Sequence, residues 1–216
     1  LVTHDNRILD IADRLMVLKD GRLGSFGAAM SPHAGHLLTA LSRMPSRLQL
    51  DTLVGRMRDG EFLDLLKGMG AEFEQFLNVL EMGGQDSVRE LFPNLLGMAL
   101  GKLAGLLDAD GAGLFVLRRG RLEAAMDAGP HDETRLDLAR RAAERGEVLN
   151  LSGTDLGAGT RTVLCVPLRN RHDEIRGVAQ FVNKRGGEFT VADERAFRDF
   201  AAPLALILEG CERVGH

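Results

Sequence analysis

Apolar positions along this chain follow two rhythms. Phe62, Leu66, Met69, Phe73, Phe76 and Leu80 recur at alternating steps of four and three, the a/d seam of a helix. Glu and Gln fill its outer positions, Gly68 and Gly70 each weaken it by about 1 kcal/mol relative to Ala, and Gly83-Gly84 ends it. The seam suits a core helix within one chain or a pairing between two copies. From Asp86 the pattern becomes helix, strand pair, helix, strands, helix. Asp86 or Ser87 caps a helix whose apolar side carries Leu91, Leu95, Met98, Leu103 and Leu106, with Pro93 in its first turns. Residues 112–117 and 121–126 flank Arg118-Arg119-Gly120 and predict a hairpin. Residues 132–144 form a charged amphipathic helix, and 148–151, 160–168 and 174–182 are strands, the last two joined by a polar turn at 170–173. Thr190 caps a final helix reaching residue 209, with Asp193 and Glu194 in the first turn and Pro203 inside.

Strands bracketed by helices predict an α+β fold over residues 86–214, an antiparallel sheet with the terminal helices on one face. Leu95, Leu103, Leu204 and Leu208 belong to that helix layer. A linker at 25–85, with the seam helix at about 60–82 and a short helix near 35–44, precedes the domain. Residues 1–24 read as strand end, a helix through Ile8, Ile11 and Ala12, then the strand Leu15-Met16-Val17-Leu18 closed by Asp20-Gly21.

The 216 residues are 44% hydrophobic and 27% charged, with a net charge of -4. Such a chain buries a core and carries no basic footprint for nucleic acid. It has no Trp and no Tyr, so it lacks stacking platforms and an interfacial aromatic belt. No apolar run reaches the length of a membrane span. Cys165 and Cys211 fit no metal spacing, and Cys165 alternates with apolar neighbours as a core residue. His33, His36, His131 and His172 are isolated, so no metal site is expected. Two cysteines make no disulfide framework, and a cytoplasmic location is the default expectation. The first residue is Leu, mid-strand, which reads as a fragment.

The stretch LVTHDNRILDIADRLMVLKDGRL resembles the switch region after the Walker B strand of ABC-transporter ATPases. Its marks are Thr3-His4-Asp5, Ala12-Asp13-Arg14 and Asp20-Gly21-Arg22. The resemblance implies that His4 is the switch histidine of an intact parent, contacting the γ-phosphate and attacking water of bound ATP and Mg. It further implies a transmembrane permease subunit as partner and a membrane association through that complex. This chain has no glycine-rich phosphate loop, no signature motif and no Walker B carboxylates. No ATPase activity is therefore expected of it, and no cofactor.

The stretch VLCVPLRNRHDEIRGVAQFVNKRGGEFTVADERAFRDFAAPLALIL resembles the C-terminal half of a GAF domain. Asn183-Lys184, then Phe189, then Asp193-Glu194 match the signature of GAF domains in cyclic-nucleotide phosphodiesterases and some bacterial adenylyl cyclases. A Lys ending a strand reaches back to an Asp in the first turn of the next helix, and Phe packed beneath locks the corner. The motif is thus structural whether or not a ligand binds. The resemblance implies a regulatory or sensor module, with a small-molecule or cyclic-nucleotide ligand beneath the loop at 152–160. Arg161, Thr162 and Asp155 are its candidate contacts. Gly153, Gly157 and Gly159 make that loop a glycine-rich roof with no helical lid, so cAMP and cGMP should bind weakly or not at all. The alternative is a GAF domain that only dimerises, and a homodimer is expected.

Overall fold

The structure, a computed structural model, describes residues 14–19, 22–28, 57–58, 60–62, 66, 85–127, 133–157 and 159–214. It divides into two compact units, residues 1–88 and 89–216.

In the first unit, β1 (Arg14–Lys19) pairs antiparallel with β2 (Arg22–Ala28), Lys19 lying opposite Arg22. The sequence predicts β1. It gives no hint of β2, whose Gly24, Ser25 and Gly27 interrupt the apolar alternation. β2 also runs across residue 24, the last residue of the segment read as strand end, helix, strand and turn. Residues 60–62 and 66 are helical, and Phe62 and Leu66 are buried. The rest of the seam, the helix expected at 35–44 and residues 1–13, His4 among them, lie outside the described residues.

The second unit takes α1 (Gln85–Leu106) from residue 89 on, then β3 (Ala109–Arg118), β4 (Arg121–Asp127) and α2 (Glu133–Arg145). It continues with β5 (Leu149–Ser152), β6 (Thr162–Arg169), β7 (Ile175–Lys184) and α3 (Val191–Val214). The five strands form one sheet in the order β4-β3-β7-β6-β5, antiparallel throughout. Local chemistry accounts for the joints. Arg119 (φ 49) and Gly120 (φ 76) are both left-handed, the two-residue turn that matches strand twist, and Arg118 pairs with Arg121 across it. Asn170 Oδ1 accepts from the backbone of His172 and Glu174 and folds the β6–β7 turn. Gly146 (φ 65) ends α2, and the Arg169 guanidinium donates to its carbonyl.

Register fixes the two faces. Met126 lies opposite Leu114, Leu114 opposite Ala179, and Phe181 follows Ala179 by two, so all four share a face. On that face Phe197 of α3 meets Phe181 edge-on, ring centroids 5.0 Å apart. Gly97 of α1 lies against Met126 there as well. The terminal helices therefore cover one face, and Leu95, Leu103, Leu204 and Leu208 are all buried. α2 covers the other face as it carries the chain from edge strand β4 to edge strand β5. The α+β fold is the one the sequence predicts, with strand bounds moved by a few residues.

Candidate functional site

Two places gather polar groups. The first is the corner where β7 hands over to α3. Asn183 adopts φ 55, and its side chain accepts from Arg161 N and donates to Gly159 O, both at 2.8 Å. Lys184 N donates to Thr162 Oγ1 at 2.9 Å. Lys184 Nζ reaches Asp193 Oδ1 at 2.8 Å and Leu107 O at 3.1 Å. Asp193 Oδ2 accepts from Thr190 N at 2.6 Å and Thr190 Oγ1 at 2.9 Å, while Asp193 N donates back to Thr190 Oγ1. This reciprocal cap starts α3. Phe189 is buried beneath, its ring centroid 5.8 Å from Lys184 Nζ. Asn150 of β5 donates to both Phe189 O and Glu194 Oε1. Every polar group named here is matched to another in the corner, which ties α1, β5, β7 and α3 together.

The corner titrates in a definite direction. Burial pushes the Asp193 carboxyl up, but hydrogen bonds from Lys184 and Thr190 outweigh it and hold the group below its ordinary 3.8. A depressed carboxyl stabilises the fold above its unfolded value, and that share is lost as pH falls through the folded value. Asp193→Ala should therefore cost about 2 kcal/mol at pH 7, between the values for exposed and buried pairs. The gap to the unsubstituted protein should shrink below about pH 4. Urea unfolding followed by circular dichroism at the two pH values checks this; a gap that persists at low pH would assign the loss to packing.

The second place is the sheet face under α2. Leu138, Ala139 and Ala142 of α2 pack there on Phe115, Leu149, Val163, Cys165, Val178 and Val182. Within this face lies a buried polar pair. Arg135 Nε donates to Gln180 Oε1 at 2.8 Å, and Gln180 Nε2 donates to Arg135 O at 2.9 Å and to Cys165 Sγ at 3.3 Å. Arg135 is 4% exposed, and Gln180 and Cys165 are 0% exposed. Burial pushes the Cys165 thiol up to about 12, so it is a core group and no nucleophile. Leu156, from the loop between β5 and β6, is buried in the same cluster. Asp155 and Arg161 are exposed, whereas Thr162 is buried with its hydroxyl engaged by Lys184. The three candidate ligand contacts are thus divided between solvent and the corner.

An open cleft of about 440 Å³ runs beside α1, lined by Gly97, Gly101, Ala104, Ala109 and Met126, with the Arg185–Asp110 ion pair in its wall. Among the described residues no group of three His, Cys, Asp or Glu stands ready for a metal. No described helix is long and apolar enough to cross a membrane. Sequence reasoning passed over Arg135, Gln180, Leu156 and Asn150. Gln180 had a signal, a lone amide inside the apolar run of β7. The others had none.

Residues 92–209 match the family model GAF_3, described as a GAF domain. The "Probable 3',5'-cyclic phosphodiesterase pde-5" of Caenorhabditis elegans is 30% identical over 160 residues, which cover 57% of this chain and 22% of that relative. The chain thus spans about a fifth of that protein's length. A free methionine-R-sulfoxide reductase from Neisseria meningitidis, solved with its substrate, superposes with a TM-score of 0.51 at 15% identity. That match covers 72% of this chain and 90% of the other, and is a likeness of fold. The GAF domain of an Acinetobacter phosphoenolpyruvate-protein phosphotransferase gives 0.49 at 20% identity, over 57% of this chain and 85% of its own. With the family model covering more than half of its length and the sheet order just described, this chain belongs to the GAF domain family of regulatory and sensor modules.

Proposed function

We propose that this GAF domain is the regulatory tail of an ABC-type ATPase, and that its resting form signals through protein contacts, with no cyclic nucleotide beneath α2. One observation carries the second half of that reading. Between the sheet and the β5–β6 loop, where a ligand would lie, Leu156 of the loop is buried in the apolar cluster that also holds Leu149, Val163 and Cys165. The phosphodiesterase relative argues for a cyclic nucleotide by its name alone. A nucleotide wants polar partners for its phosphate and base. Here Thr162 is already engaged, and the buried Arg135 and Gln180 are bonded to each other.

The ATPase half of the reading rests on Thr3-His4-Asp5, Ala12-Asp13-Arg14 and Asp20-Gly21-Arg22. A glycine-rich phosphate loop and signature motif upstream of Leu1 would support it; a kinase or phosphodiesterase core there would end it. In such a parent, ATP and Mg sit upstream, His4 faces the γ-phosphate, and a permease subunit is the partner.

Calorimetry with cAMP and cGMP tests the ligand side. The expected result is no saturable heat at 100-fold above micromolar concentrations. Binding with a micromolar dissociation constant, about -8 kcal/mol, that disappears in Arg161→Ala would overturn it.

A further inference from the structure

We propose that the tip of the β3–β4 hairpin, with Arg118, Arg119 and Arg121, is a docking point for an acidic segment of a partner protein. Three features of this tip each work against folding. Arg119 sits at φ 49, in the left-handed region. Among the described residues the other non-glycine positions in that region are Asp108, Asp173 and Asn183, whose short polar side chains suit it. A two-residue turn of this kind favours Asn, Asp or Gly first, and arginine adds nothing to the turn itself. Arg118 lies directly opposite Arg121 across the ladder, a like-charge pair that weakens the hairpin. Elsewhere guanidinium groups find carboxylates, Arg58 on Glu61, Arg140 on Asp137, Arg169 on Asp173 and Arg185 on Asp110. All three at the tip are exposed, and among the described residues none of them makes such a pair. Glu123, two positions along β4, is exposed too and joins none of them.

Strain and repulsion gathered at one exposed point are the mark of a site kept for something outside the chain. Solubility alone does not call for arginine at a left-handed position. What the tip lacks is negative charge, and guanidinium forks bind carboxylates in paired hydrogen bonds. The surroundings decide which anion. The chain carries a net charge of -4, so no basic footprint extends from the tip for a nucleic acid to follow. Three charges alone hold a protein only weakly to an anionic bilayer. Among the described residues the exposed large apolar side chains are Leu106 of α1 and Val191 of α3, so the tip has none to insert. A narrow, convex hairpin end fits a concave acidic surface or a strand of glutamates and aspartates laid across it.

The test titrates the full chain into a tetramethylrhodamine-labelled hexaglutamate peptide and reads anisotropy at about 50 mM salt, where exposed charges are only partly screened. Saturable binding that weakens as salt rises is expected. Arg118→Gln, Arg119→Asn and Arg121→Gln together should weaken it about tenfold, the sum of three exposed ion pairs. A charge-matched variant with Arg145→Gln, Arg195→Gln and Arg198→Gln, all exposed elsewhere, should change it less than about twofold. Stability is the second readout. Arg119→Asn alone should raise the urea midpoint while weakening the peptide, because asparagine suits the left-handed position. No saturable binding, or an equal loss in the charge-matched variant, would overturn the proposal. So would a lower urea midpoint in Arg119→Asn, which would make the arginine part of the turn. Phosphatidylserine vesicles and a DNA duplex are run in parallel, and tighter binding of either through the tip arginines would overturn the choice of an acidic protein. The proposal rests on the reading that the domain signals through protein contacts, but the two fail separately. Heat from cAMP would end the empty-face reading and leave the peptide titration as it stands.

Discussion

Phe197→Ala should lower the unfolding free energy of the domain by about 4 kcal/mol, the middle of the range for truncating a buried aromatic. Phe197 is 0% exposed and sits edge-on to Phe181, itself 0% exposed in the central strand β7. The loss has two parts, a cavity between α3 and the sheet and a forfeited ring pair worth about 1 kcal/mol. With no Trp or Tyr in the chain, the measurement is urea unfolding by far-ultraviolet circular dichroism. A loss under about 1.5 kcal/mol would mean that α3 is not anchored through this ring pair. Phe197→Leu, which fills most of the volume, should recover more than half of the loss.

Gly177→Ala should cost about 3 kcal/mol, at the high end for overpacking. A Cβ on Gly177 would stand 2.5 Å from the carbonyl oxygen of Phe115 and 3.2 Å from Leu208 Cδ2. The first neighbour is backbone of the paired strand β3, hydrogen-bonded into the β3–β7 ladder, and cannot swing aside. The opposite sign is expected on α1. At Gly101 an added Cβ meets nothing within 4 Å, so Gly101→Ala should stabilise by up to about 1 kcal/mol through helix propensity alone. The two variants make one experiment. If both destabilise, the cleft beside α1 is tighter than described; if neither does, β3 and β7 lie farther apart.

The sequence was most legible where spacing is enforced by covalent geometry. A lysine ending a strand and an aspartate three residues past an N-cap threonine can meet only across that turn, and Lys184 and Asp193 stand 2.8 Å apart. The Arg119-Gly120 hairpin was legible for the same reason. What escaped was set by tertiary choice. Leu156 is one apolar residue in a polar, glycine-rich loop, and nothing local says whether it turns inward. Arg135 lies on a helix full of charges, and its Nε finds a buried partner in Gln180, from a strand 45 positions away. Asn150 is similar, since its partners Phe189 and Glu194 come from 39 and 44 positions on. Local pattern cannot carry pairings of that span. β2 escaped because glycine and serine hide a strand whose pairing is decided by its neighbour.

The sheet order also dictates the timing of assembly. β3 lies between edge strand β4 and the central strand β7, so one of its two edges pairs with the last strand of the chain. The hairpin of β3 and β4 can form early, because its partners are adjacent in sequence. Its inner edge then waits for β7, and the corner closes only when Lys184 reaches Leu107, 77 positions back. Topology of this kind slows folding, since chain entropy is lost before the distant contacts reward it. On the ribosome the β3 edge and its apolar face stay open through the synthesis of α2, β5 and β6. The exposed arginines at the hairpin tip, Arg118, Arg119 and Arg121, are placed where like charge keeps two such waiting hairpins from pairing with each other.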